Sequence, residues 1–551
     1  HFEITTGSGT DSITVGSGLD ASAVNHISAG AGNNTISAGN GTFVIDTGTG
    51  DDWVSVGEGS NTINLSSGAA TVLAGNGTNR ITAQGGSSFE VTTGSGADTI
   101  TLGNDTNLTG VNHVSAGEGQ NIIQVGSGSY EISTGASADT ITVLGSATAD
   151  ELVIIADAGD NTITAISNTS GFDITAGSGA DTISLGSNLD GITASRIDAG
   201  AGVNKITTGA GDFRITVGSE NDTITLNSET GSDLQVIDSG GANTIRAFNA
   251  DHFEITTGSG TDSITVGSGL DASAVNHINA GAGSNTISAG NGTFVIDTGT
   301  GDDWVSVGNG SNTINLNSGA ATVQAGNGTN RITALDGASF EITTGSGADT
   351  ISLGSNLDST TPSHINAGNG ANKITTGAGD FRITVGSEND TITLNSETGS
   401  DLQVIDSGGA NTIRAFNADH FEITTGSGTD SITVGSGLDA SAVNHINAGA
   451  GSNTISAGNG TFVIDTGTGD DWVSVGNGSN TINLNSGAAT VQAGNGTNRI
   501  TALDGASFEI TTGSGADTIT LGNDTVYDVS SVNHVSAGDG QNIIQVGAGS
   551  F

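Results

Sequence analysis

Short alternations of apolar and polar residues, four or five residues long, recur along the whole chain and are cut apart by glycine-rich turns. Ile13 and Val15 flank Thr14, Ile36 stands between Thr35 and Ser37, and Val54 and Val56 flank Ser55. A period of two sends one set of side chains inward and the other outward, the pattern of a half-buried β-strand. The stretch Gly7–Val15, GSGTDSITV, shows the unit: two glycines around one residue, an Asp, then the strand. From Gly30 the nine-residue unit runs almost without a gap, as GAGNNTISA, GNGTFVIDT, GTGDDWVSV and GEGSNTINL. The pattern predicts an all-β chain: a parallel β-solenoid, β-roll or β-helix like, of short strands with Gly-rich turns.

Longer repeats lie above the unit. The segment HFEITTGSGTDSITVGSGLDASAVNHI begins at His1, His252 and His420, and the last two copies are 168 residues apart. Three blocks follow: residues 1–251, with about six modules, residues 252–419, and residues 420–551 as a partial third copy, all expected to form one continuous solenoid. Within the blocks, the Asp residues that precede Thr-Ile, Ser-Ile or Trp-Val recur every 40 to 42 residues, with 46 at three places. A period near 41 also suits propeller blades, but blades need hairpin turns, and here Gly-rich turns divide the strands into nine-residue units. Array length that varies by copying suits a shaft better than a catalytic site.

Each module holds four unit types: a Phe strand such as FEIT, the Asp unit, a longer loop ending in a strand such as VNHISA, and an Asn unit such as GAGNNTISA. With two strands per turn, Asp and Asn loops stack along one edge. The 46-residue modules contain an odd number of units, which leaves open either three strands per turn or a local change of edge.

Composition narrows the picture. Ninety-one glycines against one proline, 33% hydrophobic residues and 4% aromatic ones exclude a thick globular core. Asp and Glu outnumber Lys and Arg 57 to 10, a formal charge of −47, which repels nucleic acid and anionic lipid and calls for a cation. Cys and Met are absent, so disulfide and thiolate chemistry is excluded and the chain suits an oxidising exterior. No apolar run is long enough to span a membrane. The interrupted repeats at His1 and Phe551 are read as the ends of a window within a longer protein.

In the turn, glycine allows positive φ and lets peptide carbonyls converge beside the carboxylate. Converging oxygens suit a hard cation, and calcium tolerates six to eight of them in irregular geometry where magnesium demands a tight octahedron. The units TGSGTDSIT (Thr6–Thr14) and TGSGADTIT (Thr93–Thr101) resemble the repeats-in-toxin (RTX) nonapeptide, G-G-x-G-x-D-x-U-x with U a large aliphatic. That resemblance implies calcium held between stacked turns of a β-roll, and a bacterial protein that is secreted unfolded and folds on meeting external calcium. The residues expected to ligate calcium are Asp11, Asp52, Asp98, Asp181, Asp262, Asp303, Asp349, Asp430, Asp471 and Asp517. Asp139, Asp222 and Asp390 are set apart, because Ser137, Glu220 and Glu388 replace the glycine two residues before them. Asn34, Asn121, Asn161, Asn204 and Asn243 stand where the family pattern has Asp, so fewer ions than nonapeptides are expected.

Other residues carry weaker readings. The histidines of VNHI and VNHV are expected in loops where strands begin. Trp53, Trp304 and Trp472 are one residue in three copies, for packing or for stacking on sugar. No nucleophile, base and carboxylate stand apart from the repeat, so no enzyme activity is expected. The function expected is the structural repeat region of a secreted, extracellular or cell-surface protein, an adhesin stalk, matrix fibre or surface-layer subunit, rigidified by calcium. Its partners are calcium and further copies of itself or adjoining repeats, with no nucleic acid and no membrane insertion. The alternatives are an ice- or glycan-binding solenoid that uses outward Thr and Asn ranks, and the non-catalytic C-terminal module of an exoenzyme.

Overall fold

Apolar side chains that alternate at period two can be buried only if strands stack in register, and the chain stacks them in parallel. The computed structural model describes residues 1–17, 22–107, 110–146, 152–190, 192–269, 271–358, 360–416, 418–437, 439–503, 507–523 and 533–549. Its contacts form two compact units, His1–Gly281 and Ala282–Phe551.

In the first unit successive strands alternate between two parallel sheets. Glu3–Thr5, Val24–Ser28, Thr42–Thr49 and Thr62–Ser67 lead one sheet, and Ser12–Val15, Thr35–Ala38, Asp52–Val56 and Ala69–Ala74 lead the other. One turn of the solenoid therefore holds two strands, which excludes three. Thr35 pairs with Trp53, two nine-residue units further on, whereas Ser12 pairs with Thr35 across the longer loop. The second unit repeats the plan, with Thr286–Ala289 and Asp303–Val307 in one sheet and Thr293–Asp297 and Thr313–Leu316 in the other.

The core is a ladder of aliphatic side chains. In the first sheet Ile27, Ile45, Ile63, Ile81 and Ile100 follow one another in register, all buried, and on the facing sheet Ile36, Val54, Val72 and Val91 do the same. Burying each such side chain contributes about 1.5–3 kcal/mol. Thr, Ser and Asn occupy the alternate, outward positions.

The histidines are strand residues, not loop residues. His26, His277 and His445 lie inside Val24–Ser28, Val275–Asn279 and Val443–Asn447, facing outward opposite Glu3, Glu254 and Glu422. The period of two explains the correction: in VNHI the Ile is buried, so the His two positions from the Val points out and the Asn between them points in. Asn25, Asn112, Asn276 and Asn444 are fully buried, and the side-chain oxygens of Asn112, Asn276 and Asn444 accept the amides of Phe89, Phe253 and Phe421 at 2.7–2.9 Å.

Candidate metal sites along the turn edges

The turn Thr93–Asp98 leads into the strand Thr99–Asp105 and shows how each site is made. Gly96 has φ +136°, a region L-residues avoid, and its amide donates to the Glu118 carbonyl of the next turn at 2.7 Å. A Cβ on Gly119 of that next turn would collide with the Gly96 carbonyl oxygen. Glycine is thus required once for conformation and once for close stacking.

On this edge the last residue of successive turns belongs to one ladder. The Asn79 amide donates to Asp98 Oδ1 at 2.7 Å, the Asp98 amide to Asn121 Oδ1 at 3.0 Å, and the Asn121 amide to Asp139 Oδ1 at 2.7 Å. The same alternation continues through Asn161, Asp181, Asn204, Asp222 and Asn243 to Asp262. These side chains are almost wholly buried.

Asp and Asn use Oδ1 identically and differ in the second side-chain atom. Asn121 Nδ2 donates back to the carbonyls of Gly117 and Gly119 at 2.8 and 2.9 Å, and Asn204 Nδ2 reaches those of Gly200 and Gly202. The Asn amide thus ties together the carbonyls of its own turn. In an Asp turn the isosteric atom is Oδ2, an acceptor where Asn has a donor. Oδ2 of Asp11, Asp98, Asp181, Asp222, Asp390, Asp430 and Asp517 is buried and accepts no hydrogen bond. A buried carboxylate oxygen that accepts no hydrogen bond, in a turn rich in backbone carbonyls, fits a calcium ion, which takes all its ligands from oxygen. Among the described residues no three His, Asp or Glu side chains converge on one point, so a site would draw on at most two carboxylates together with backbone oxygens.

The ladder changes edge at the 46-residue modules. Asp11, Asn34 and Asp52 stack ahead of one sheet of the first unit, and Asp52 then pairs with Ala70, where the ladder stops. It restarts ahead of the other sheet with two consecutive asparagines, Asn61 donating from Nδ2 to Asn79 Oδ1 at 3.0 Å. In the second unit the step recurs twice: Asp303 pairs with Ala321 and Asn312 donates to Asn330 at 3.0 Å, then Asp471 pairs with Ala489 and Asn480 donates to Asn498 at 2.9 Å. An odd number of units therefore moves the polar ladder to the opposite edge and leaves two strands per turn intact.

Electrostatics separate two kinds of Asp turn. Burial raises the carboxyl pKa of Asp52, Asp139, Asp303, Asp349 and Asp471, and a threonine hydroxyl five residues earlier, from Thr47, Thr134, Thr298, Thr344 or Thr466, opposes the rise. Asp181, Asp222 and Asp390 have Ala176, Val217 and Val385 there instead, and burial pushes them up to about 6. Asp238 and Asp406 join these acids from inside two Asn turns, where Asn243 and Asn411 donate to their carboxylates. Burial, followed by the charges of the Asp turns on either side, takes Asp238 up to about 7 and Asp406 up to about 6.

Of the ten acids expected from sequence, Asp11, Asp98, Asp181, Asp262, Asp349, Asp430 and Asp517 stand on the ladder with an Asn rung following or preceding them, and Asp52, Asp303 and Asp471 are the last rungs before a change of edge. Asp139, Asp222 and Asp390, set apart for lack of a glycine, occupy the same rungs. The carbonyls of Ser137 and Glu220 face Gly159 and Gly241 as Gly96 faces Gly119, so the replaced glycine does not move the turn's oxygens. Glu220 and Glu388 also cap the stack, accepting the amides of Gly202 and Gly370 at 3.1 and 2.9 Å. Asp238 and Asp406 were missed, although their motif DSGGAN, an acid in the first position of an Asn turn, is visible in the chain.

A profile of the family described as RTX calcium-binding nonapeptide repeat (4 copies) matches residues 22–42, 46–81, 273–293, 295–323, 364–395, 441–461 and 463–491. Asp52, Asp303, Asp390 and Asp471 fall inside those segments. No characterised protein and no solved structure gave a significant match to the chain.

Proposed function

Because the chain carries RTX calcium-binding nonapeptide repeats, which bind calcium and occur in secreted bacterial proteins, we propose that it is the calcium-rigidified structural shaft of an extracellular or cell-surface protein: an adhesin stalk, fibre or surface-layer element. The observation that carries this reading is the contrast between rungs. Asn turns close on themselves through their amide, whereas Asp turns such as those of Asp11, Asp98 and Asp181 leave a buried carboxylate oxygen without a hydrogen bond, open to a cation. Calcium would be held by Asp11, Asp52, Asp98, Asp181, Asp262, Asp303, Asp349, Asp430, Asp471 and Asp517, together with Asp139, Asp222 and Asp390, and would neutralise charge at alternate rungs.

No residue of the ladder is committed to catalysis in this reading, since the same constellation recurs at every module. Among the described residues no helix is long and apolar enough to cross a membrane. The outward Thr ranks favour a shaft over an ice-binding plane: Thr142 and Thr164 are in register, but Gln124 and Arg246 interrupt the same column. Contact with further copies or adjoining repeats belongs to the same proposal.

Circular dichroism during a calcium titration tests it. The chelated chain at neutral pH is expected to lack β signal and to gain it cooperatively with calcium. Full β signal in excess chelator at neutral pH would sink the reading.

A further inference from the structure

The chain has three tryptophans, and all three sit on the outward face of a sheet in the same surroundings. Trp53 lies between Thr35 and Thr71 on the neighbouring strands, Trp304 between Thr286 and Thr322, and Trp472 between Thr454 and Thr490. The next strands continue each column with a Glu and then a His: Glu90 and His113, Glu341 and His364, Glu509 and His534. Each column therefore reads Thr, Trp, Thr, Glu, His across successive strands about 4.8 Å apart.

Small threonines on both sides leave the indole without a bulky cover, and Trp472 is 36% exposed. The third column opens as a surface groove of about 340 Å³, lined by Asp470, Trp472, Thr490, Glu509 and His534 among others. In the second column His364 Nδ1 lies 3.1 Å from the Glu341 carboxylate, which fixes that acceptor's orientation. Neither a core role nor the turn ladder uses these groups: the buried members of the same strands are Val54, Val305 and Val473.

We propose that the three columns are binding sites for a neutral pyranose oligosaccharide. A flat apolar ring suits the axial C–H face of a sugar, and a carboxylate and an imidazole two and three strands away suit its hydroxyls as acceptor and donor. No Lys or Arg lines the groove, and its acids Asp470, Asp471 and Glu509, within a chain of charge −47, repel anionic glycans. A single indole does not make the cage that a quaternary ammonium requires.

Because tryptophan occurs nowhere else in the chain, its fluorescence reports these columns alone. The calcium-loaded chain is titrated with cellohexaose, maltohexaose, chitohexaose, a galacturonate hexamer and tetramethylammonium. The expected result is a saturable change in emission with at least one neutral hexamer and none with the other two probes. The variant carrying Glu90→Ala, Glu341→Ala and Glu509→Ala keeps its β signal and binds about tenfold more weakly, the loss of a charge-assisted hydrogen bond. The proposal is overturned if no neutral hexamer gives a saturable change up to millimolar concentration. It is equally overturned if the galacturonate or the ammonium binds as well, or if the triple Glu variant binds undiminished.

Discussion

The turns that end in Asn121 and Asp98 are neighbours on one ladder, have the same backbone, and use Oδ1 in the same way. They differ in one atom. In the Asn121 turn that atom is a donor, and it draws Gly117 and Gly119 together; in the Asp98 turn it is a buried acceptor with no hydrogen bond. One rung has its side-chain groups satisfied as folded, and the other keeps an acceptor open to a cation. On the proposed reading, alternation sets how strongly folding depends on the ion, because both rungs share the Oδ1 bond but only the Asn rung adds a second from Nδ2.

The largest effect expected from breaking this contrast comes from exchanging the two residues. Asp98→Asn with Asp139→Asn turns two dependent rungs into complete ones and should lower the calcium concentration at the folding midpoint by roughly tenfold. Asn121→Asp should raise that midpoint and cost about 2 kcal/mol at limiting calcium, since it removes a satisfied donor and buries a second carboxylate oxygen. Circular dichroism in a series of buffered calcium concentrations reads both, and a midpoint that does not move in either variant would refute the division of labour between rungs.

A smaller effect follows from protons, which can stand in for the ion. Asp181, Asp222, Asp390 and Asp406 titrate near 6 in the fold and Asp238 near 7, all above the ordinary value of 3.8. A raised carboxyl pKa means that the folded chain binds more protons than the unfolded one between these limits, so stability falls as pH rises through the window. The chelated chain should therefore hold more β signal at about pH 5 than at about pH 8. In calcium the trend should reverse, because protons then compete with the ion. Chelated samples with equal signal at both pH values would contradict this.

The smallest effect sharpens the distinction among Asp rungs. Val217→Thr and Val385→Thr supply the hydroxyl that Asp222 and Asp390 lack and should lower their folded pKa by a fraction of a unit, toward the behaviour of Asp349. Carbon-13 NMR of the carboxyl groups measures it. An unchanged titration of Asp222 would show that the Thr is a bystander.

Much of this was legible in the chain itself. The period of two identified the strands, the glycine pairs identified the turns, and the 41-residue spacing put Asp and Asn on a common edge. The change of edge was not legible, since an odd number of units states a parity without saying whether the strand count or the edge gives way; pairing of Thr35 with Trp53 decides it. Another signal was present and unread. Thr stands five residues before ten of the ladder acids, such as Thr93 before Asp98, whereas Ala, Val or Asp stands five before the ladder asparagines, such as Ala116 before Asn121. It becomes meaningful only when the fold brings that hydroxyl to the carboxyl. The histidines misled for a related reason: in VNHI the conspicuous residue faces out, and the plain Asn beside it is the one that closes the turn.

The change of edge at Asp52, Asp303 and Asp471 has a mechanical consequence. An array whose ion sites all lay on one side would contract or swell on that side alone as ions came and went, like a bimetal strip, and would curl. Within the second unit the ladder lies ahead of one sheet from Asn312 to Asp471 and ahead of the other from Asn480 onward, so such a strain would fall on the two flanks in turn.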